Sequence, residues 1–195
     1  MAITPHNCIK SGYLALNESC LEASICRQNF RMSTVIFFDS EFTNLSSSAS
    51  FISAGFAAEN GEEFYAELSD FEASNCNDFV KATVLPLLVQ NRISAYEFVQ
   101  HLVFWMGQFD GDVVLVEDSD WDRKILSKTF ASVKKHLPPN WTFRKVPDYF
   151  PTGHQRQAFN DEINAYFLRH PEERPLHALS DARAIGRAYN RAETD

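Results

Sequence analysis

The chain has 195 residues, with 18 Lys plus Arg against 26 Asp plus Glu, for a formal charge of −8. That length suits one domain with a sizeable core, and 45% hydrophobic with 13% aromatic content excludes a disordered or low-complexity chain. The acidic balance excludes affinity built on a basic coat over a duplex, but not an enzyme that meets nucleic acid through cations and a small local patch.

Residues 1–31 hold three of the four cysteines, Cys8, Cys20 and Cys26, among scattered polar residues with no sustained period. Met32 stands directly ahead of the first strand-like run. The sequence therefore predicts a poorly ordered N-terminal extension over 1–31 and a single domain over 32–195. The four cysteines, with Cys76 the last, form no C-x-x-C pair. With no basic-then-apolar leader in view, free thiols in a reducing cytoplasm are expected. No apolar run approaches the roughly 18 residues that span a bilayer, so no membrane partner is expected.

Val35, Ile36, Phe37 and Phe38 form an unbroken apolar run ending in Asp39-Ser40-Glu41. Such a run predicts a strand buried on both faces, at the centre of a sheet. Residues 51–58 predict a second strand of small and apolar residues. Asn60-Gly61 predicts a hairpin turn, because both residues tolerate positive φ. Residues 62–68 alternate, with Phe64, Ala66 and Leu68 on one face. Asn77 is placed to cap a short helix limited by Pro86. Ser94-x-x-Glu97 is a capping box ahead of a helix to about residue 108. Residues 113–116 are a second buried run, again closed by acids: Glu117, Asp118, Asp120 and Asp122. A helix over 121–134, a strand over 141–146 and helices over 158–168 and 176–192 follow. Three antiparallel strands followed by alternating helices and strands predict an α/β fold, a mixed five-stranded sheet flanked by helices.

Both buried runs end in carboxylates, and a ligand site in such a sheet lies at the carboxyl ends of adjacent inner strands. Residues i and i+2 of a strand share a face, which puts Asp39 and Glu41 side by side. Close carboxylates repel and lose hydration, which a fold tolerates when a cation lies between them. Oxygen-only ligands favour a hard ion such as Mg²⁺ or Mn²⁺. A strand that merely ends in a polar loop is the alternative. Asp122 opens the helix after the fourth strand, and Asp181 lies on the last helix with His177 four residues before it, on one helical face. Asp118 and Asp120 are read as solvent-facing, with a place just behind the metal ligands as the alternative, and Trp121 as core packing. Arg144, Lys145, Arg156 and Arg183 are candidates for a local phosphate-contacting patch. His154 and His170 lack the spacing to replace His177.

The motifs D-x-E at Asp39–Glu41, W-D-x-x-x-L at Trp121–Leu126 and H-A-L-x-D-A at His177–Ala182, in this order, resemble the DEDD superfamily of 3′→5′ exonucleases. Within it the chain looks like RNase T and oligoribonuclease and, more closely, the mycobacterial RNase AS type of exoribonuclease. The closer likeness lies in Ser53-Ala54-Gly55-Phe56, in residues 59–66 and in Val84-Leu85-Pro86. The resemblance implies a His-type enzyme with an RNase H-like fold, two Mg²⁺ or Mn²⁺ ions and often a homodimer. It implies metal-binding, catalytic carboxylates at Asp39, Glu41, Asp122 and Asp181, and His177 as general base. It also implies substrate contacts at Phe42 and Thr43. In one respect the chain departs from the pattern. The His-type branch has its histidine five residues before the last aspartate, where this chain has Leu176. The expected activity is hydrolysis of single-stranded or short RNA to nucleoside 5′-monophosphates. The alternatives are a single-strand DNA exonuclease and a catalytically weak module that binds nucleic acid or protein.

Overall fold

The computed structural model describes residues 33–194, apart from Gln90 and Pro147. The expected extension over 1–31, with Cys8, Cys20 and Cys26, lies outside the described residues. Among the described residues the strands and α-helices are, in order, β1 (Ser33–Phe42), β2 (Phe51–Ala58), β3 (Glu63–Glu67), α1 (Asp78–Thr83), α2 (Ala95–Met106), β4 (Asp112–Glu117), α3 (Asp120–Ser132), β5 (Trp141–Lys145), α4 (Gly153–Arg169) and α5 (Ala178–Thr194).

The strands form one mixed sheet in the order β3-β2-β1-β4-β5. β1 to β3 are an antiparallel meander, turned at Gly61 with φ 89°. β1, β4 and β5 run parallel. The two apolar runs are therefore inner neighbours. The last pair of their ladder is Phe37 with Val116, so Asp39 and Asp118 both stand two residues beyond it.

Alternation along β1 divides the core. Ile36 and Phe38 face one layer with Leu115, Leu126 and Phe130. Phe37 faces the other with Val116, Ile185 and Tyr189. β2 is buried at every position because it is covered on both faces. Two glycines let α5 lie directly on the sheet. A Cβ on Gly55 would come within 2.4 Å of the Ala178 and Leu179 backbone, and one on Gly186 within 2.5 Å of the Phe37 ring. Caps follow the sequence signals: Asn77 accepts from the Val80 N–H at 2.8 Å, and the Ser94–Glu97 capping box is complete.

Two helix starts differ from expectation. α4 begins at Gly153, a turn and a half earlier, because Thr152 caps it by accepting from the Gln155 N–H at 3.1 Å. α5 begins at Ala178, so His177 lies ahead of the helix and the shared-face argument for it fails. Leu176, with φ 65°, turns the chain sharply just before that start. Among the described residues no helix is long and apolar enough to cross a membrane.

Candidate metal centre

Three elements and one loop deliver carboxylates to one place. β1 carries Asp39 and Glu41 toward the α5 side. The β1–β2 register shifts between Glu41 and Phe42, a bulge beside the site of the kind that re-aims side chains. Gly55, paired with Asp39, admits the first turn of α5, which brings Asp181 over the sheet. Asp122 arrives from the first turn of α3, capped by the Ser119 hydroxyl, which accepts from the Trp121 N–H. The loop from β4 to α3 supplies Asp118.

These acids line a cavity of about 610 Å³ at the carboxyl ends of β1 and β4. Oxygens of Asp39, Glu41 and Asp181 lie within 4.8 Å of one another, and so do those of Asp39, Asp118 and Asp122. Among the described residues the cavity lining holds no lysine, arginine or histidine. The electrostatics follow from that arrangement. Burial, then repulsion from Asp122, Asp181, Glu41 and Asp118, pushes the Asp39 carboxyl well above its usual range. Burial and Asp118 raise Glu41 to about 7. Burial and Glu41 raise Asp181 to about 8, although the backbone N–H groups of Leu176 and His177 oppose the shift. Asp122 is also raised well above its range by burial, against two hydrogen bonds from Ser40. Behind it, Glu117 is fully buried and raised to about 7, with Arg123 Nε 3.7 Å from its Oε1.

The donor set fits a hard divalent cation. It is all oxygen, it is strongly anionic, and Asp122 Oδ2 is buried with no hydrogen-bond partner.

The ring of His177 is not brought to these acids. Its ring stacks on Tyr65 at 4.6 Å between centroids and lines a separate cavity with Glu173, Ser180 and Arg183. Its Nδ1 is buried without a hydrogen-bond partner, and burial lowers its pKa, favouring the neutral imidazole. Leu176 lines the acidic cavity instead. Tyr65 donates to Glu67 at 3.2 Å, which keeps the ring under His177 in place.

Phe42 lines the acidic cavity and stacks on Trp121 at 6.1 Å. Thr43 is buried and ties its own loop, donating its backbone N–H to the Ser50 carbonyl and accepting from the Asn77 N–H. The basic candidates do not assemble at the acids. Arg144 lies 4.2 Å over the Tyr149 ring and donates to the Tyr189 hydroxyl. Arg183 pairs with Glu63 at 2.7 Å and Glu173 at 2.6 Å. Lys145 pairs with Asp120 and Asp148, and Arg156 donates to the Phe150 carbonyl.

Asp118 is the residue the motif reading passed over. It lies two residues past the second apolar run, where Asp39 lies one past the first, so only the parallel β1–β4 register, whose last pair is Phe37 with Val116, puts the two at one level. Ser40 and Leu176 carried no signal of their own.

No family model matches the chain, and no curated protein matches it. Solved structures do. One is a crystallographic structure of the nuclease domain of 3'hExo, a DEDDh family member, bound to rAMP. It superposes with a TM-score of 0.62 at 16% identity, over 83% of this chain and 92% of that one. At that identity the likeness concerns the fold: a mixed five-stranded sheet with flanking helices, RNase H-like, as in an exonuclease domain.

Proposed function

We propose that this chain is a divalent-metal-dependent 3′→5′ exonuclease of the DEDD kind, hydrolysing single-stranded or short RNA to nucleoside 5′-monophosphates. One observation carries the reading: five carboxylates converge in an open cavity with no basic side chain in its described lining. Such a cavity repels a phosphodiester unless cations occupy it. Asp39, Glu41, Asp122 and Asp181 would hold two Mg²⁺ or Mn²⁺ ions. Bound there, the ions would neutralise the acids, lower the pKa of the attacking water and stabilise charge on the scissile phosphate.

The apolar wall beside the acids, with Phe42, Leu45 and Phe79, supports stacking of a terminal nucleoside. Leu45 and Phe79 are exposed there, which an unliganded fold has no reason to prefer. Arg144 and Arg183 would act through the aromatic and acidic groups they hold in place. Thr43 would act through the loop it ties. His177 serves as general base in this reading once the Leu176–His177 step turns toward the acids. The positive φ of Leu176 and the partnerless Nδ1 of His177 support that step as the one to move. The closer likeness to RNase AS-type enzymes and a homodimer belong to the same reading and rest on the sequence resemblance, and a cytoplasmic setting rests on the cysteines that form no C-x-x-C pair.

The present position of His177 favours a second reading, a catalytically weak module that binds nucleic acid or protein. Digestion of 5′-labelled single-stranded RNA and its DNA counterpart with Mn²⁺, Mg²⁺ or EDTA separates the possibilities. A metal-dependent ladder on RNA alone is expected. Ladders on both substrates mean a general single-strand exonuclease. Silence on both, with metal bound, means the module.

A further inference from the structure

We propose that Asp118 is a fifth metal-binding carboxylate, completing with Asp39 and Asp122 one of two three-carboxylate cation sites that share Asp39. The inference rests on the metal-dependent reading above and deepens it. None of the three sequence motifs that suggested the site contains Asp118.

The geometry divides the acids into two triads with one common member. Asp39, Glu41 and Asp181 bring oxygens within 4.8 Å of one another, as do Asp39, Asp118 and Asp122. The second triad has a feature that an incidental acidic cluster lacks. Asp122 is 1% exposed, and its two oxygens are treated differently. Oδ1 accepts from the Ser40 N–H at 3.1 Å and the Ser40 hydroxyl at 2.6 Å. Oδ2 is buried with no partner. Ser40 thus fixes the carboxylate through one oxygen and leaves the other without a donor. A buried carboxylate oxygen without a donor is costly unless a cation takes that place.

The backbone explains why Asp118 arrives there. The parallel β1–β4 ladder ends at Phe37 with Val116, and two further residues on each strand give Asp39 and Asp118 at one level. Asp118 is open to the cavity and so can meet an ion without breaking a packed contact. Hard cations take several oxygens and keep waters in the remaining positions, so three carboxylates suffice on each side.

The test is Mn²⁺ binding to the full chain, by calorimetry and by loss of the free-ion paramagnetic resonance signal. Wild type should bind two equivalents. Asp118→Asn should lose the second equivalent or weaken it at least about tenfold. Asp120→Asn, which removes a nearby acid paired with Arg123 and Lys145 outside the lining, should keep both. Metal-free Asp118→Asn should melt at or above the wild-type temperature, which separates ligand loss from misfolding. Two equivalents of wild-type affinity in Asp118→Asn overturn the role of Asp118 and leave the four-acid reading standing. A single equivalent in the wild type overturns the shared-Asp39 arrangement. No binding at all in the wild type overturns both readings.

Discussion

Ser40 donates its backbone N–H and its hydroxyl to the same oxygen of Asp122, across 82 residues of chain, at 3.1 and 2.6 Å. This double hydrogen bond joins the central strand to the first turn of α3. It sets where one of the buried acids points. Ser40→Ala keeps the backbone donor and removes the other. Because such supporting groups orient a ligand, the expected result is a loss of about tenfold to hundredfold in Mn²⁺ affinity with the fold retained. Calorimetric titration with a circular-dichroism control checks it.

Asp39 stands in both triads, so it has the most to gain from neutralisation. Asp39→Asn should abolish metal-dependent turnover. It should leave the metal-free melting temperature equal or higher, since burial and four neighbouring acids disfavour its charge. The rise in melting temperature on adding Mn²⁺ should vanish with it. An unchanged nuclease rate in a rigorously purified variant would remove Asp39 from the site.

Metal-free stability should fall as pH rises. Folding lifts Glu41 to about 7 and Asp181 to about 8, whereas unfolded carboxyls release protons near about pH 4. Between those limits the folded form binds more protons than the unfolded one, so each step up in pH favours unfolding. The stabilisation is full below the unfolded values and gone above about pH 8. Metal binding needs the deprotonated acids and should reverse the slope. Melting curves from pH 5 to 8.5, with EDTA and with Mn²⁺, test this, and a flat metal-free profile would contradict it.

His177→Ala should reduce turnover about 10²–10⁴-fold, the usual contribution of a positioned general base, while leaving metal affinity within about twofold. If His177 acts as the base, metal or substrate should also shift its ring resonances, because the imidazole would have to leave the Tyr65 face on which it stacks. A turnover rate within threefold of wild type means that the attacking water loses its proton without this imidazole.

Gly55→Ala should separate α5 from the sheet. The added methyl would lie 2.4 Å from backbone atoms of Ala178 and Leu179, which cannot rotate away as a side chain can. Overpacking of this kind costs about 1–3 kcal/mol. Asp181 rides on that turn, so metal affinity should fall together with stability in denaturant titrations.

Local chemistry made most of the fold legible. The two buried runs, the Asn60-Gly61 turn, the Ser94–Glu97 box and the alternation through Phe64, Ala66 and Leu68 each depend on neighbours within a few residues. Asp39 and Glu41 were readable as a pair for the same reason, since a strand puts i and i+2 on one face. Their meeting with the acids that close the second run was readable from the carboxyl ends of the two strands, and that with Asp181 only as a resemblance of motifs.

What the sequence by itself determined was the set of elements and the acids at their ends, because periodicity and capping are short-range. Only the tertiary structure decided the parallel β1–β4 register that lifts Asp118 to the level of Asp39. It decided the close approach at Gly55 that seats α5, and the turn at Leu176 that sends His177 toward Tyr65. Each of these depends on which distant surfaces pack together and at what separation. One residue along the chain separates Leu176, which lines the acidic cavity, from His177, which lines the other, and helix starts are set by those contacts as much as by the local residues.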